Sequence, residues 1–426
     1  MGLSLSALIL LAANVGFLLL VMVWPLGQRT VRLTRIVPAP REKIWQALFP
    51  LGANATWSGD LVASRAVEGG ALIGLSWLGR DDRPIERRIA LDDVVEGRQF
   101  AMRIVDDTAL DPSIWSRYRE RVSLQSEGVG PGEATRVTIE QSDSYRGLAF
   151  LVYRYFALRR RVSRLEEWAV SGAISKKTLL FEHPLSQVGF ALLSALLIWP
   201  LFGLTPGGLV AALAFTLIIA VHELGHMTAF RIMGHRSARM IFIPLLGGVA
   251  MGGRPYDRQF EVAFVALMGP GFSAFLVAAL MGASISSGLA GNHAVALVAA
   301  TGAGSVALFN AANLLPFWRL DGAQVLRQVC RTTPQRMAGS AALMTPAVML
   351  AAMAGWSLSA LAAIVLAGIA LGLLGRRTRV MTRMPLREIE SRERGLIVAG
   401  LAAVAMIHTL GIAWAADVLL FQNLAS

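Results

Sequence analysis

The sequence predicts a polytopic α-helical membrane protein of about eight spans that carries an α+β domain on its cytosolic side. Three observations predict it. Of the 426 residues, 55% are hydrophobic and only 16% charged, where a soluble domain is roughly a quarter charged. This excludes disorder and argues against a purely soluble fold. The apolar residues gather in stretches long enough to cross about 30 Å of hydrocarbon as helix. All 40 Lys and Arg residues fall in four blocks, 29–177, 231–258, 319–336 and 376–394.

The expected spans are Leu3–Trp24, Leu185–Leu204, Leu209–Met233, Val262–Ala283, Ala294–Leu315, Ala338–Gly355, Leu358–Leu374 and Leu396–Ala416. If all eight cross, every basic block lies on one face, which the positive-inside rule makes the cytoplasm. The net charge of +12 is then a topology signal, and no nucleic-acid partner is expected. The first segment lacks a basic flank ahead of it and has Arg29, Arg32 and Arg35 after it, so it reads as an uncleaved anchor. The expected domains are an anchor over 1–28, a cytosolic domain over 29–175, a membrane core over 179–375, and a basic loop with a final span over 376–426. The single Cys330 excludes an intrachain disulfide. Lys occurs only at Lys43, Lys176 and Lys177 while Arg is abundant, a composition suited to a bacterial inner membrane.

Within 30–172 the pattern changes to short alternating segments. Leu61–Val67, Ala71–Trp77, Ile85–Leu91, Gln99–Val105, Tyr118–Leu124 and Thr135–Gln141 read as strands. Arg41–Phe49, after Pro38-Ala39-Pro40, reads as a short helix and Arg146–Ser171 as a long one. Gly69-Gly70, Asp81-Asp82 and Gly128–Gly132 are turn signals. Strand, helix, a run of strands and a long helix make an α+β order. That order, with "VPAPREKIWQAL" after the first strand, resembles the START-like, polyketide-cyclase-type helix-grip domains. The resemblance implies space for an apolar ligand between sheet and last helix; a solid core explains the same pattern.

The third span contains "IIAVHELGHMTAF". His222 and His226, four apart on a helix, lie about 40° apart on one face. That spacing lets two imidazoles bind one tetrahedral Zn²⁺. Glu223 is placed to act as general base on a metal-activated water. Ionisable groups inside a span are costly and usually mark function. The third ligand is expected from Asp321 in "NAANLLPFWRLDGAQ", the other acidic residue standing among apolar segments. His183, His235, His293 and His408 are poorer candidates. Pro316 breaks the helix there, which suits a cavity admitting water and an extended substrate.

"HELGH" together with "NLLPFWRLDG" resembles the site-2 protease family of intramembrane metalloproteases, whose second motif runs N-x-x-P-x-P-x-L-D-G. Trp318 stands at the second Pro. The resemblance implies His222, His226 and Asp321 as ligands of one catalytic zinc, Glu223 as base, and Asn313 as a polar group near the scissile carbonyl. "LLGGVAMGG" is similar to the family's Gly-rich loop or hairpin, and "MGPG" to its G-P-x-x-N helix start, with Ser273 in place of Asn. Gly247, Gly248 and Pro316 are the expected substrate-binding residues.

The expected activity is hydrolysis of a peptide bond in the transmembrane segment of a single-span membrane protein, within the lipid bilayer. The alternative is a non-catalytic receptor or lipid-handling protein with its ligand in residues 30–172. A membrane-anchored DNA-binding regulator finds no helix-turn-helix or zinc-finger pattern to support it.

Overall fold

The computed structural model describes residues 5–22, 24–79, 83–128, 133–174, 183–243, 247–374 and 385–420. After helix α1 (Leu5–Met22), these divide into two compact units, the first running to Ile174 and the second holding 183–374 and 386–420. The turn signals at Asp81-Asp82 and at Val129–Gly132 lie outside the described residues.

The first unit is α+β, as its alternating segments predict. Strand β1 (Pro25–Val37) leads into helix α2 (Arg41–Leu48). Then come β2 (Leu61–Val67), β3 (Gly70–Leu78), β4 (Pro84–Val95), β5 (Gln99–Asp107), β6 (Arg119–Glu127) and β7 (Ala134–Arg146), and helix α3 (Leu148–Ser171). β1 begins at Pro25, inside the expected anchor domain. The strands form one antiparallel sheet in the order β1-β7-β6-β5-β4-β3-β2. Each neighbouring pair except β1–β7 is consecutive in sequence, so hairpin turns set most of the register. β7 alternates Val137, Ile139 and Gln141 onto one face, all buried. α3 places Leu158, Val162, Leu165 and Ala169 along one stripe, also buried. These faces, with Trp45 of α2 and Phe100 of β5, make the core. Gly147 (φ 79°) turns the chain from β7 into α3, and Gly172 (φ 72°) ends α3 in the left-handed conformation. Beside the core lies a cavity of about 410 Å³ between the tryptophans Trp57, Trp77 and Trp115 and the polar residues Tyr118, Glu120 and Arg161.

The second unit is helical. Its elements are α4 (Pro184–Ile198), α5 (Pro206–Ile232), the strands β8 (Arg239–Ile243) and β9 (Gly247–Met251), α6 (Gln259–Leu289), α7 (His293–Asn313), α8 (Asp321–Val329), α9 (Thr333–Leu343), α10 (Thr345–Met353), α11 (Leu358–Leu374) and α12 (Ser391–Leu420). Among the described residues, six helical segments are long and apolar enough to cross a membrane: Leu185–Phe202, Pro206–Ile232, Gln259–Leu289, His293–Asn313, Thr333–Met353 and Ser391–Leu419. The expected eight are thus six of full length and two shorter. α1 has 18 residues and α11 has 17. At 1.5 Å per residue each reaches about 26 Å, at the lower end of the roughly 17–25 residues that a span takes. The segment expected as one span from Ala338 begins earlier and is broken in two at Thr345-Pro346, where proline has no N–H to continue the helix.

Leu185, Val210, Phe275 and Val298 each leave two-thirds or more of their surface exposed. Large apolar side chains turned outward suit lipid rather than water. Between the helices the contacts are made by small residues. A Cβ on Gly225 would stand 2.2 Å from the Met268 carbonyl of α6, and one on Gly304 would stand 2.8 Å from Ala415 of α12. Such close approach is how helices associate without water to drive them together.

Candidate metal centre

α5 carries the H-E-x-x-H residues, α6 and α7 pack on it, and the turn after α7 delivers Asp321 at the first position of α8. The two histidine Nε2 atoms are 3.0 Å apart. Asp321 Oδ2 lies 3.1 Å from His222 Nε2 and 3.4 Å from His226 Nε2. Ligand atoms about 2.05 Å from a tetrahedral zinc are about 3.3 Å apart, so these three atoms already have the spacing of one face of that tetrahedron. A carboxylate oxygen of Glu223 lies within 4.8 Å of both histidine ligand atoms.

The far side of each ring fixes its tautomer. His226 Nδ1–H donates to the Val265 carbonyl at 2.7 Å. His222 Nδ1–H donates to Asn310 Oδ1 at 2.7 Å, and the Asn310 amide in turn donates to the Val306 carbonyl at 2.8 Å, which settles which way it faces. With the proton on Nδ1, each neutral ring turns an Nε2 lone pair inward. Asp321 Oδ2 is closed off from solvent without a hydrogen-bond partner. Two lone pairs and a carboxylate oxygen facing one another at 3.0–3.4 Å repel unless a cation sits between them. Outer hydrogen bonds that hold ligating histidines in this way are the usual support of a metal site. The donor set of two imidazoles and one carboxylate fits a catalytic zinc with one position left open.

The backbone around the site is crowded, and glycine is what fits. A Cβ on Gly269 would stand 2.4 Å from His226 Nε2 and 2.8 Å from His222 Cε1. Gly269 belongs to "MGPG". That motif does not start a helix here: it lies in the middle of α6, with Pro270 inside the helix and its carbonyl accepting a 2.9 Å hydrogen bond from His408 Nε2. Ser273, at the family's Asn position, bonds back to the Gly269 carbonyl. The expected Gly-rich hairpin is present as β8 and β9. Gly247 pairs with Ile243 and Gly248 with Phe242. A Cβ on Gly248 would stand 2.7 Å from Glu223 Cγ, and Ala250 N–H donates to Glu223 Oε2 at 2.8 Å. β9 therefore lies directly on the catalytic-base candidate and holds one of its oxygens.

The other expected residues are placed less centrally. The Asn313 amide donates to the Phe309 carbonyl at 3.1 Å, back along its own helix. Asn310, one turn earlier, is the asparagine that touches His222. Pro316 is buried in the turn between α7 and α8, its carbonyl close to Gly372 of α11. Gly322 is obligatory, since a Cβ there would stand 1.7 Å from the Leu314 carbonyl. Trp318 adopts φ 55°, which proline cannot, so the missing second Pro reflects a different turn geometry. Asp321 is not a side-chain cap: the N-cap residue of α8 is Leu320, with no capping side chain. His183 caps α4, accepting from Leu185 N at Nδ1. His235 bonds Glu261, which also accepts from Arg254 and from Asp257 N. Glu261 is only 3% exposed, although Arg254 and Arg258 stand close to it in sequence.

The sheet unit has its own buried polar group. Arg161 reaches Glu120 at 2.8 Å, Gln141 donates to Glu120 at 2.6 Å, and Tyr118 does so at 3.0 Å. Burial alone would raise the Glu120 carboxyl, but the Arg161 charge and the three hydrogen bonds outweigh it and hold it below its ordinary value. Burial, and then the Glu120 charge, push the Tyr118 hydroxyl well above its ordinary value.

No family model matches the chain, and no curated protein matches it. Among solved structures it is similar to the Aha1 dimer from Colwellia psychrerythraea at 14% identity and TM-score 0.26, covering 34% of this chain and 98% of that one. It is similar to a START superfamily protein from Mycobacterium smegmatis at 16% identity and TM-score 0.23, covering 32% and 98%. It is similar to Mll3558 from Rhizobium loti at 16% identity and TM-score 0.25, covering 33% and 96%.

Proposed function

We propose that this chain is a zinc-dependent intramembrane endopeptidase of the site-2 protease kind. One observation carries the reading: His222, His226 and Asp321 turn three unneutralised donor atoms onto a common point with Glu223 beside it. A zinc ion held by His222, His226 and Asp321 would supply Lewis acidity for the scissile carbonyl and would acidify water towards neutral pH. Glu223 takes a proton from the attacking water and passes it to the leaving amine nitrogen as the C–N bond breaks. Asn310 and the Val265 carbonyl keep the imidazoles in the tautomer that binds metal. A purely structural zinc would have no use for Glu223.

The substrate is a single-span membrane protein, unwound locally because a helix hides its carbonyls. Among the described residues β9 pairs with β8 alone, and a substrate strand pairing on its Glu223 side would compete with Glu223 for the Ala250 N–H. The positive-inside pattern orients the basic blocks and the metal ligands towards the cytoplasm, and the Arg-rich composition suits a bacterial inner membrane. Cleavage of a single-span protein by the purified chain is expected to fall by about 10²- to 10⁴-fold in Glu223→Gln while its zinc content stays at the wild-type level. Full cleavage by zinc-loaded Glu223→Gln would refute the mechanism.

A second reading is favoured by the 410 Å³ cavity in the sheet unit. Its tryptophans and the half-buried Arg161 paired with buried Glu120 suit a mainly apolar ligand with one polar end, and the chain would then be a membrane receptor or lipid-handling protein. The two readings combine if that ligand governs cleavage. Native mass spectrometry of the intact chain tests it: a co-purifying ligand lost on Trp57→Ala supports the reading, and an empty cavity in every preparation removes it.

A further inference from the structure

α9, α12 and the end of α8 border an apolar groove of about 670 Å³, open to the outside of the helical unit. Its walls are small and apolar: Ala338, Gly339 and Ala342 on α9, and Val398, Ala402 and Met406 on α12. Val398 is 47% and Met406 58% exposed. From Arg394 to Leu410 the groove follows sixteen residues of α12, about 24 Å at 1.5 Å per residue. One leaflet with its headgroups is about half of 40–45 Å. The groove therefore has the length of a single lipid molecule, not of a membrane-crossing helix.

Its charge lies at one end. Arg394 lines that end, and Arg336 follows Gln335, which lines it from α9. Both arginines act on the thiol of Cys330, also in the lining; burial raises it, and the two positive charges pull against that rise. The Nε atoms of Arg336 and Arg394 are closed off from solvent with no hydrogen-bond partner. Arg394 donates to the Ile389 carbonyl, and among the described residues neither arginine meets a carboxylate. The nearby acid Glu393 is taken by Arg258 at 2.6 Å. Two guanidinium groups without a counter-charge at the membrane boundary call for an anion, and the planar fork of arginine suits the oxygens of a phosphate.

We infer that this groove binds one anionic phospholipid, an acyl chain lying between α9 and α12 and the phosphate on Arg336 and Arg394. The inference goes beyond the proposed catalysis and needs no metal, so its failure and that of the protease reading are separable.

The full chain, purified in detergent and equilibrated with equimolar phosphatidylglycerol and phosphatidylcholine, is read by native mass spectrometry. One retained lipid per chain is expected, with a preference for phosphatidylglycerol on the order of 10- to 30-fold. Arg336→Gln/Arg394→Gln should abolish the preference, and Arg336→Lys/Arg394→Lys should keep most of it, which separates lost charge from lost fold. Ala402→Trp should reduce retention of both lipids by filling the groove. Competition by inorganic phosphate at millimolar concentration should leave the lipid in place, since the chain contact supplies most of the binding. Equal retention of the two lipids overturns the inference. So does a preference that survives the double Gln variant, displacement by free phosphate, or a partner protein's helix cross-linked into the groove in place of lipid.

Discussion

Each unit buries a polar cluster, and the two are built on opposite principles. In the sheet unit, Glu120 meets Arg161, Gln141 and Tyr118, so the charge is answered within the protein. In the helical unit, His222 and His226 spend their protons outward on Asn310 and Val265 and leave their lone pairs facing each other and Asp321. The first cluster is complete as it stands. The second leaves three donor atoms facing one another, the arrangement that a cation would complete. Burial and charge alone do not mark a functional site; the direction in which the donors point does.

If this contrast is right, substitutions in the helical cluster change chemistry and metal, and those in the sheet cluster change stability. Glu223→Gln should lower the rate of peptide cleavage by about 10²- to 10⁴-fold, with zinc content, measured by mass spectrometry of the metal, unchanged. Asp321→Ala removes a ligand and should weaken zinc binding by more than about 100-fold; competition with a chromogenic chelator measures it, and wild-type affinity would strike Asp321 from the ligand set. Asn310→Ala leaves the ligands in place but frees the His222 ring, and should cost about 10- to 100-fold in zinc affinity.

In the sheet cluster, Arg161→Ala strands the Glu120 carboxylate. Because Arg161 is about one-third exposed, the cost is nearer 2 kcal/mol than the full penalty of a broken buried pair. Tryptophan fluorescence during unfolding should report it, with zinc affinity unmoved. The pH dependence has a definite sign. Glu120 is held below its ordinary value of 4.5, so its contribution is complete above that pH and fades as pH falls through the lowered native value. Glu120→Gln should therefore flatten the acid limb of the stability curve and leave the neutral limb parallel to wild type. The smallest effect is expected from Gly248→Ala. Its new methyl would press on Glu223 Cγ, the flexible part of that side chain, so cleavage should slow several-fold while zinc stays bound.

What was legible in the sequence was local. The strands of the sheet unit follow their alternation, and β2 matches its expected limits, Leu61–Val67. His222 and His226 are recognisable because four residues make one helical turn, and Asp321 because it stands between apolar segments after Pro316, although Arg319 is two residues away. The supports of the site were not legible. Asn310 stands 88 residues from His222 and Val265 stands 39 from His226, and neither residue type announces such a partnership. The resemblance of "MGPG" to a G-P-x-x-N helix start implies a helix beginning at Gly269, yet α6 runs through Pro270. The break at Thr345-Pro346 was masked by apolar residues on both sides, since hydropathy counts residues and does not see a missing N–H.

The central claim is that two imidazoles and one carboxylate of this chain form a metal site. X-ray absorption at the zinc edge of the purified chain tests it most directly. The account predicts one zinc per chain, with two imidazole nitrogens at about 2.0–2.1 Å and oxygen in the remaining positions, and loss of the imidazole signal in His222→Ala/His226→Ala. A wild-type chain that takes up no zinc, or a double variant that keeps the wild-type spectrum, would contradict it.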